Sequence, residues 1–202
     1  MSVIKNKTFK QLLWVGMGSI AMFFAGLTSA YIVRKAEGNW TEFILPEWFL
    51  YSTITIVISS LVLIIARRGI KQQKTFYLNP FRNWDIRNLE FFIPSPFKWM
   101  VAVFISGLIF SYFQFKGWQD LIEQGVFLTG EGSNVSGSFL YVITLAHLVH
   151  LIGGLIALLI TAINTKRGKY TNKDCLGFEL TTIYWHFLAL LWVYLFFFLK
   201  YF

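Results

Sequence analysis

Residues 138–163 read SFLYVITLAHLVHLIGGLIALLITAI. No Asp, Glu, Lys or Arg interrupts them. The run exceeds the roughly 20 residues that a helix needs to cross a hydrocarbon core about 30 Å thick. In lipid each backbone N–H and C=O must find its partner within the segment, so the stretch is expected to be a membrane-spanning helix. Four further stretches have the same character, at about 11–33, 48–66, 98–115 and 180–199. None contains an acid, and the one cation inside these limits, Lys98, can snorkel from its span end. The expected fold is all-α: a polytopic membrane protein of five transmembrane helices, with residues 1–202 as a single membrane domain.

Composition agrees. Of 202 residues, 56% are hydrophobic, 19% aromatic and only 14% charged. A soluble domain carries about 25% charged residues. With this deficit a soluble surface would expose aggregating apolar patches. The net charge of +8 could suggest nucleic acid in a soluble protein. Here it fits the Lys/Arg excess of cytoplasmic loops, and no nucleic-acid partner is expected. Cys175 is the single cysteine, so neither an intrachain disulfide nor a thiolate metal site can form. The first apolar run is too long for the 7–15-residue core of a signal peptide, and it is read as a retained span.

Lys and Arg set the orientation. Fourteen fall at the N-terminus, in the loop after the second span (with Lys98) and in the loop after the fourth; Arg34, Lys35, Lys116 and Lys200 lie opposite. The richer side is expected to be cytoplasmic, with the N-terminus inside and the C-terminus outside. The longest loop, about 67–97, holds Asn79-Pro80 and Pro94-Ser95-Pro96 and reads as turns, with Trp84, Phe91 and Phe92 suited to the membrane interface.

Ionisable groups inside a membrane are the default functional candidates. The spans contain no carboxylate and no Arg row, which argues against an acidic proton relay or a voltage sensor. No internal repeat of the kind many transporters carry is visible either. All three histidines lie in spans: His147, His150 and His186. His147 and His150, at i and i+3, share a helix face. A haem or metal site there would need three or four ligands, and no carboxylate or thiol is placed to complete one. Hydrogen bonding between helices or to lipid headgroups is the preferred reading. Small residues Gly18, Ala21, Ala25 and Thr28 in the first span, and Gly153, Gly154 and Ala157 in the fourth, suggest close helix packing. The last span, crowded with Phe, Trp and Leu, could face lipid or another subunit.

Several motifs then resemble one family. Gly177-Phe178-Glu179, followed by Tyr184-Trp185-His186-Phe187 and Trp192, is similar to the G-x-E, YWHF and Trp pattern of subunit III of the haem-copper oxidases, the cytochrome c oxidase subunit III family. Residues 141–154, YVITLAHLVHLIGG, resemble the family's Y-x-L-T-G-x-H-G-x-H-x-x-x-G. Met22-Phe23-Phe24-Ala25-Gly26 through Tyr31, then Leu45-Pro46, Ser59-Ser60 and the run from Gln114 to Gly125, extend the likeness over nearly the whole chain, in order. The match is to the short bacterial form with five spans.

The resemblance implies a subunit III-like bundle in the bacterial inner membrane. It implies a subunit without redox centre or catalytic residues of its own, within a complex that reduces oxygen to water and pumps protons. Haem and copper would sit in partner subunits. The implied partners are oxidase subunits I and II and structural phospholipid, with a second subunit III-like chain and a respiratory supercomplex as further possibilities. Glu179, His150, Tyr184, Trp185, His186, His147 and Trp192 are the implied lipid-contact or interhelical packing residues. Subunit III of a quinol oxidase and a subunit III-like accessory protein of a nitric oxide reductase remain alternatives. Two departures set this chain apart: Ile20 stands where the family usually has Glu, and Ala189 where it has Asp after YWHF. Leu145 and Leu148 replace glycines around the first histidine.

Overall fold

The computed structural model describes residues 2–38, 40, 43–78, 96–130, 134–167 and 175–202. Among them are five helices and no strand: α1 (Ser2–Lys35), α2 (Trp48–Leu78), α3 (Pro96–Glu123), α4 (Val135–Lys166) and α5 (Leu176–Tyr201). All five are long and apolar enough to cross a membrane.

Local sequence explains several ends. α3 opens on Pro96, whose missing N–H costs nothing in a first turn. It closes at Gly125, which takes φ +77. The Gly125 and Val126 amides then return to the Ile122 and Leu121 carbonyls, capping the helix. α2 runs twelve residues past the span end expected at 66. From Arg67 to Leu78 the one weak helix former is Gly69, at a cost of about 1 kcal/mol relative to Ala; the next proline is Pro80, which disfavours helix at the residue before it. The first part of the expected 67–97 loop is therefore helical. Asn79-Pro80, Trp84 and Phe91 to Ser95 lie outside the described residues.

The packing is a ring. α2 lies against α3, α3 against α4, α4 against α5, and α5 closes back onto α2. α1 stands outside, against α4 and α5. It is the least buried span and α5 the most buried. The aromatic last span thus turns most of its surface into the bundle and leaves one side, with Leu190, Tyr194 and Phe197, exposed. Its large rings fill space that four neighbours share, and their polar edges find partners there. Outward surfaces are apolar, with Val15, Met22, Ile58, Val149 and Leu190 all exposed.

Small residues admit the close contacts, though not all those expected. A Cβ on Gly107 would lie 2.7 Å from Leu155 and 2.8 Å from the Trp185 ring. One on Gly154 would lie 2.8 Å from Leu188 and 3.4 Å from the same indole. Gly107 on α3 and Gly154 on α4 therefore carve the slot that holds Trp185. In α1 the expected stripe does not pack: Gly18, Ala21 and Ala25 are exposed, and of the four only Thr28 is buried. The buried face of α1 carries Met17, Phe24, Thr28 and Tyr31 instead, so large side chains hold it at a distance.

The contrast is measurable. Gly107→Ala should lower the thermal midpoint of the detergent-solubilised protein, by an overpacking cost of roughly 1–3 kcal/mol. Gly18→Ala, with nothing within 4 Å of the added carbon, should not lower it.

Candidate functional site: a polar seam inside the helix ring

Helices in lipid gain little from burying apolar surface against one another, so packing and interhelical hydrogen bonds decide how they associate. The ring interior has a repeated device of this kind. Ser52 Oγ and Thr53 Oγ1 on α2 each donate to the Phe49 carbonyl of their own helix, at 2.8 and 2.7 Å. Ser59 Oγ does the same to Ile56, at 2.8 Å. With its one hydrogen used locally, each oxygen can only accept from another helix. Each meets a donor: Gln114 Nε2 at Ser52 (2.9 Å), Trp192 Nε1 at Thr53 (3.0 Å) and Trp185 Nε1 at Ser59 (3.0 Å). Between α3 and α4 the pattern recurs, with Thr144 Oγ1 bonded to the Leu140 carbonyl and receiving Trp118 Nε1 at 3.1 Å. Thr161 and Thr181 join α4 to α5 through their hydroxyls at 2.8 Å.

The seven expected site residues do not form one site. Trp185, Trp192 and His147 are each 0% exposed in the ring interior and present no surface to lipid. His147 lies among rings, with centroids 4.9 Å from Trp192, 5.9 Å from Phe110 and 6.4 Å from Phe24. His150, one turn on, turns toward α1 instead, 5.7 Å from Phe24 and 6.5 Å from Phe23. Its Nδ1 is 2.7 Å from the Ala146 carbonyl, which can only accept, so Nδ1 carries the proton. Tyr184 donates to the His150 carbonyl at 3.2 Å on the same side of α5. His186 is on the other side, its Nδ1 2.5 Å from Ser60 Oγ of α2. Glu179 pairs with Lys10 of α1 at 2.5 Å, with both side chains partly exposed. Exposed pairs of this kind contribute at most about 1 kcal/mol.

Outside the ring, α1 is tied to α5 at three heights. Lys10 meets Glu179 near one end, Thr28 Oγ1 and Tyr194 OH are 3.1 Å apart further along, and Lys35 reaches the Phe202 carbonyl at the other end. The two positions that set this chain apart both turn inward: Ala189 is buried, and Ile20 is half-buried against the core.

Sequence reading missed the acceptors Ser52, Thr53 and Thr144, the donor role of Gln114, and Lys10 as the partner of Glu179. A signal for the first was present. Ser52-Thr53 and Ser59-Ser60 recur seven residues apart, which returns them to one helix face. The Lys10–Glu179 pairing left no trace in spacing, since it joins opposite ends of the chain.

The seam yields a double-mutant test. Ser59→Ala leaves the buried Trp185 indole without its acceptor and should cost roughly 1–2 kcal/mol. On a Trp185→Phe background, where no N–H is left to strand, the same change should cost only a few tenths. Thermal midpoints of the four proteins in one detergent measure the difference.

Comparison with known proteins places this architecture. A family model described as cytochrome c oxidase subunit III matches residues 95–202. A probable cytochrome c oxidase subunit 3 of Mycobacterium tuberculosis (strain ATCC 25618 / H37Rv) is 30% identical over 186 residues, which is 90% of this chain and 82% of the relative. One from Nocardia farcinica is 31% identical, covering 92% of this chain and 82% of its own. The cytochrome c oxidase subunit 3 of Corynebacterium diphtheriae is 26% identical, over 87% and 78%.

Proposed function

Because this chain belongs to the cytochrome c oxidase subunit III family, we propose that it serves as a non-catalytic membrane subunit of a bacterial respiratory complex that reduces oxygen to water and pumps protons. The observation that carries the reading is the likeness to cytochrome c oxidase subunit 3 proteins over 90% of the chain. In this reading it packs against subunit I, in a complex that also contains subunit II. Haem and copper belong to those partners, and this chain contributes a rigid helical wall. Two features support a scaffolding role. The buried hydroxyls, indoles and amide described above are used between the chain's own helices, and the outer surface is left apolar.

The proposed location is the bacterial inner membrane, with the N-terminus cytoplasmic and the C-terminus outside; the Lys/Arg distribution supports this. Phospholipid is proposed to lie along the half-buried residues of α4 and α5, with His150 and Tyr184 on one side and His186 on the other. Glu179 and Lys10 would lie near the headgroups. Partial exposure of these side chains supports their assignment over the enclosed Trp185, Trp192 and His147.

The test is purification in mild detergent through a tag on this chain, with a reduced-minus-oxidised haem spectrum of what accompanies it. The expected result is A-type haem, with oxygen uptake driven by reduced cytochrome c. Haem without that activity would transfer the subunit to a quinol oxidase or a nitric oxide reductase. No haem in detergent or in native lipid nanodiscs would overturn the assignment.

A further inference from the structure

Two fully buried side chains in the ring break the rule that the seam otherwise obeys. His147 and Gln114 are 0% and 1% exposed. Among the described residues, neither ring nitrogen of His147 and not the Gln114 Oε1 has a hydrogen-bond partner. Each such group stranded in the interior is costly, and buried polar atoms in native proteins are almost always satisfied by protein or by ordered water.

The unmet groups share one layer. Along antiparallel α3 and α4, Trp118 bonds Thr144 and Gly107 meets Leu155. Gln114, one turn before Trp118, therefore lies level with Leu148, next to His147. Phe110, one turn earlier on the same face of α3, touches the His147 ring. From the other side, Gln114 Nε2 is anchored on Ser52, while Trp192, in contact with His147, is anchored on the adjacent Thr53. Gln114 and His147 are thus held from two helices into the same height of the bundle.

What they require can be stated from their chemistry. A neutral imidazole offers one donor and one acceptor; a glutamine oxygen only accepts. A molecule that accepts from the ring N–H and donates to Gln114 Oε1 satisfies the glutamine oxygen and the donor nitrogen of the ring. A metal cation does not fit: among the described residues no group of three His, Cys, Asp or Glu could hold one, and an uncompensated charge here would be expensive. The remaining class is a small neutral hydrogen-bonding molecule. We infer that an ordered internal water bridges His147 and Gln114 and joins α3 to α4 at this layer. The water extends the seam one position beyond Ser52, whose one hydrogen is already spent on the Phe49 carbonyl. This inference concerns the chain alone and stands apart from its membership of any complex.

The full chain, reconstituted in lipid bilayers with 15N-labelled histidine rings, has only three histidines to resolve. A His147→Phe variant assigns the relevant signals. Magnetisation transfer from water protons to a His147 ring nitrogen is expected in the unaltered chain. It should fall at least twofold in Gln114→Leu, with His150 and His186 unchanged. A His147 ring that receives no transfer, or transfer indifferent to Gln114→Leu, would overturn the proposal. Should Gln114→Leu fail to insert, a map of the whole complex that resolves waters decides the matter. A peak within about 2.7–3.2 Å of both groups supports the bridge. No such peak, or a direct His147–Gln114 bond, refutes it.

Discussion

The indole of Trp185 requires two things at once in a medium that supplies neither: room for a large rigid ring and an acceptor for its N–H. Gly107 and Gly154 leave the room, and Ser59 supplies the acceptor. Those residues sit on α3, α4 and α2, so one side chain of α5 fixes its own helix against three others. The ring of four helices depends on this arrangement. A one-turn shift of α3 or α4 would bring a side chain where Gly107 or Gly154 now leaves room for the indole, and a one-turn shift of α2 would strip its hydrogen bond. Trp192 repeats the logic about two turns away, bonded to Thr53 and stacked near Phe49. Two such locks on the same pair of helices define register as well as proximity.

The hydroxyls matter because of direction. A serine or threonine on a helix readily spends its proton on a carbonyl three or four residues back, a habit that makes it a poor helix former in water. Inside a membrane the habit becomes specific. The oxygen that remains is an acceptor of fixed orientation, and only a donor from the facing helix completes it. Leu-on-Leu contacts cannot discriminate in this way, since lipid is as apolar as leucine. α1 shows the alternative: with bulky residues on its buried face and polar ties to α5 at intervals, it is attached to the ring without being interlocked with it.

Much of this was legible in the sequence. Five apolar runs without acids define five helices, because lipid leaves no other backbone solution. The YWHF and H-x-x-H motifs marked α5 and α4, and the structure uses residues of both in its interior. What could not be read was the sorting of those residues. Trp185 and His186 are neighbours in sequence yet face different surroundings, since successive positions on a helix differ by about 100°. Likewise the small residues of α1 and α4 looked equivalent as stripes. Only the placement of α1 outside the ring reveals that Gly154 is compressed while Gly18 meets nothing. Composition identifies a capacity for close approach; the neighbour's position decides whether it is used.

The same geometry gives physical content to the departures from the family pattern. Position 189 is 4% exposed, within the most buried helix. An ionised carboxylate there would need a paired cation or several donors to offset its desolvation, and the hydroxyls on α2 nearest the two tryptophans are already committed. Alanine removes that demand and lets α5 pack closely. Ile20 does the equivalent on α1, adding apolar contact where an acid would require a partner. With both positions apolar, the runs 11–33, 48–66, 98–115, 138–163 and 180–199 hold no carboxylate. The buried hydroxyls of α2 and the indoles of α5 instead join helix to helix.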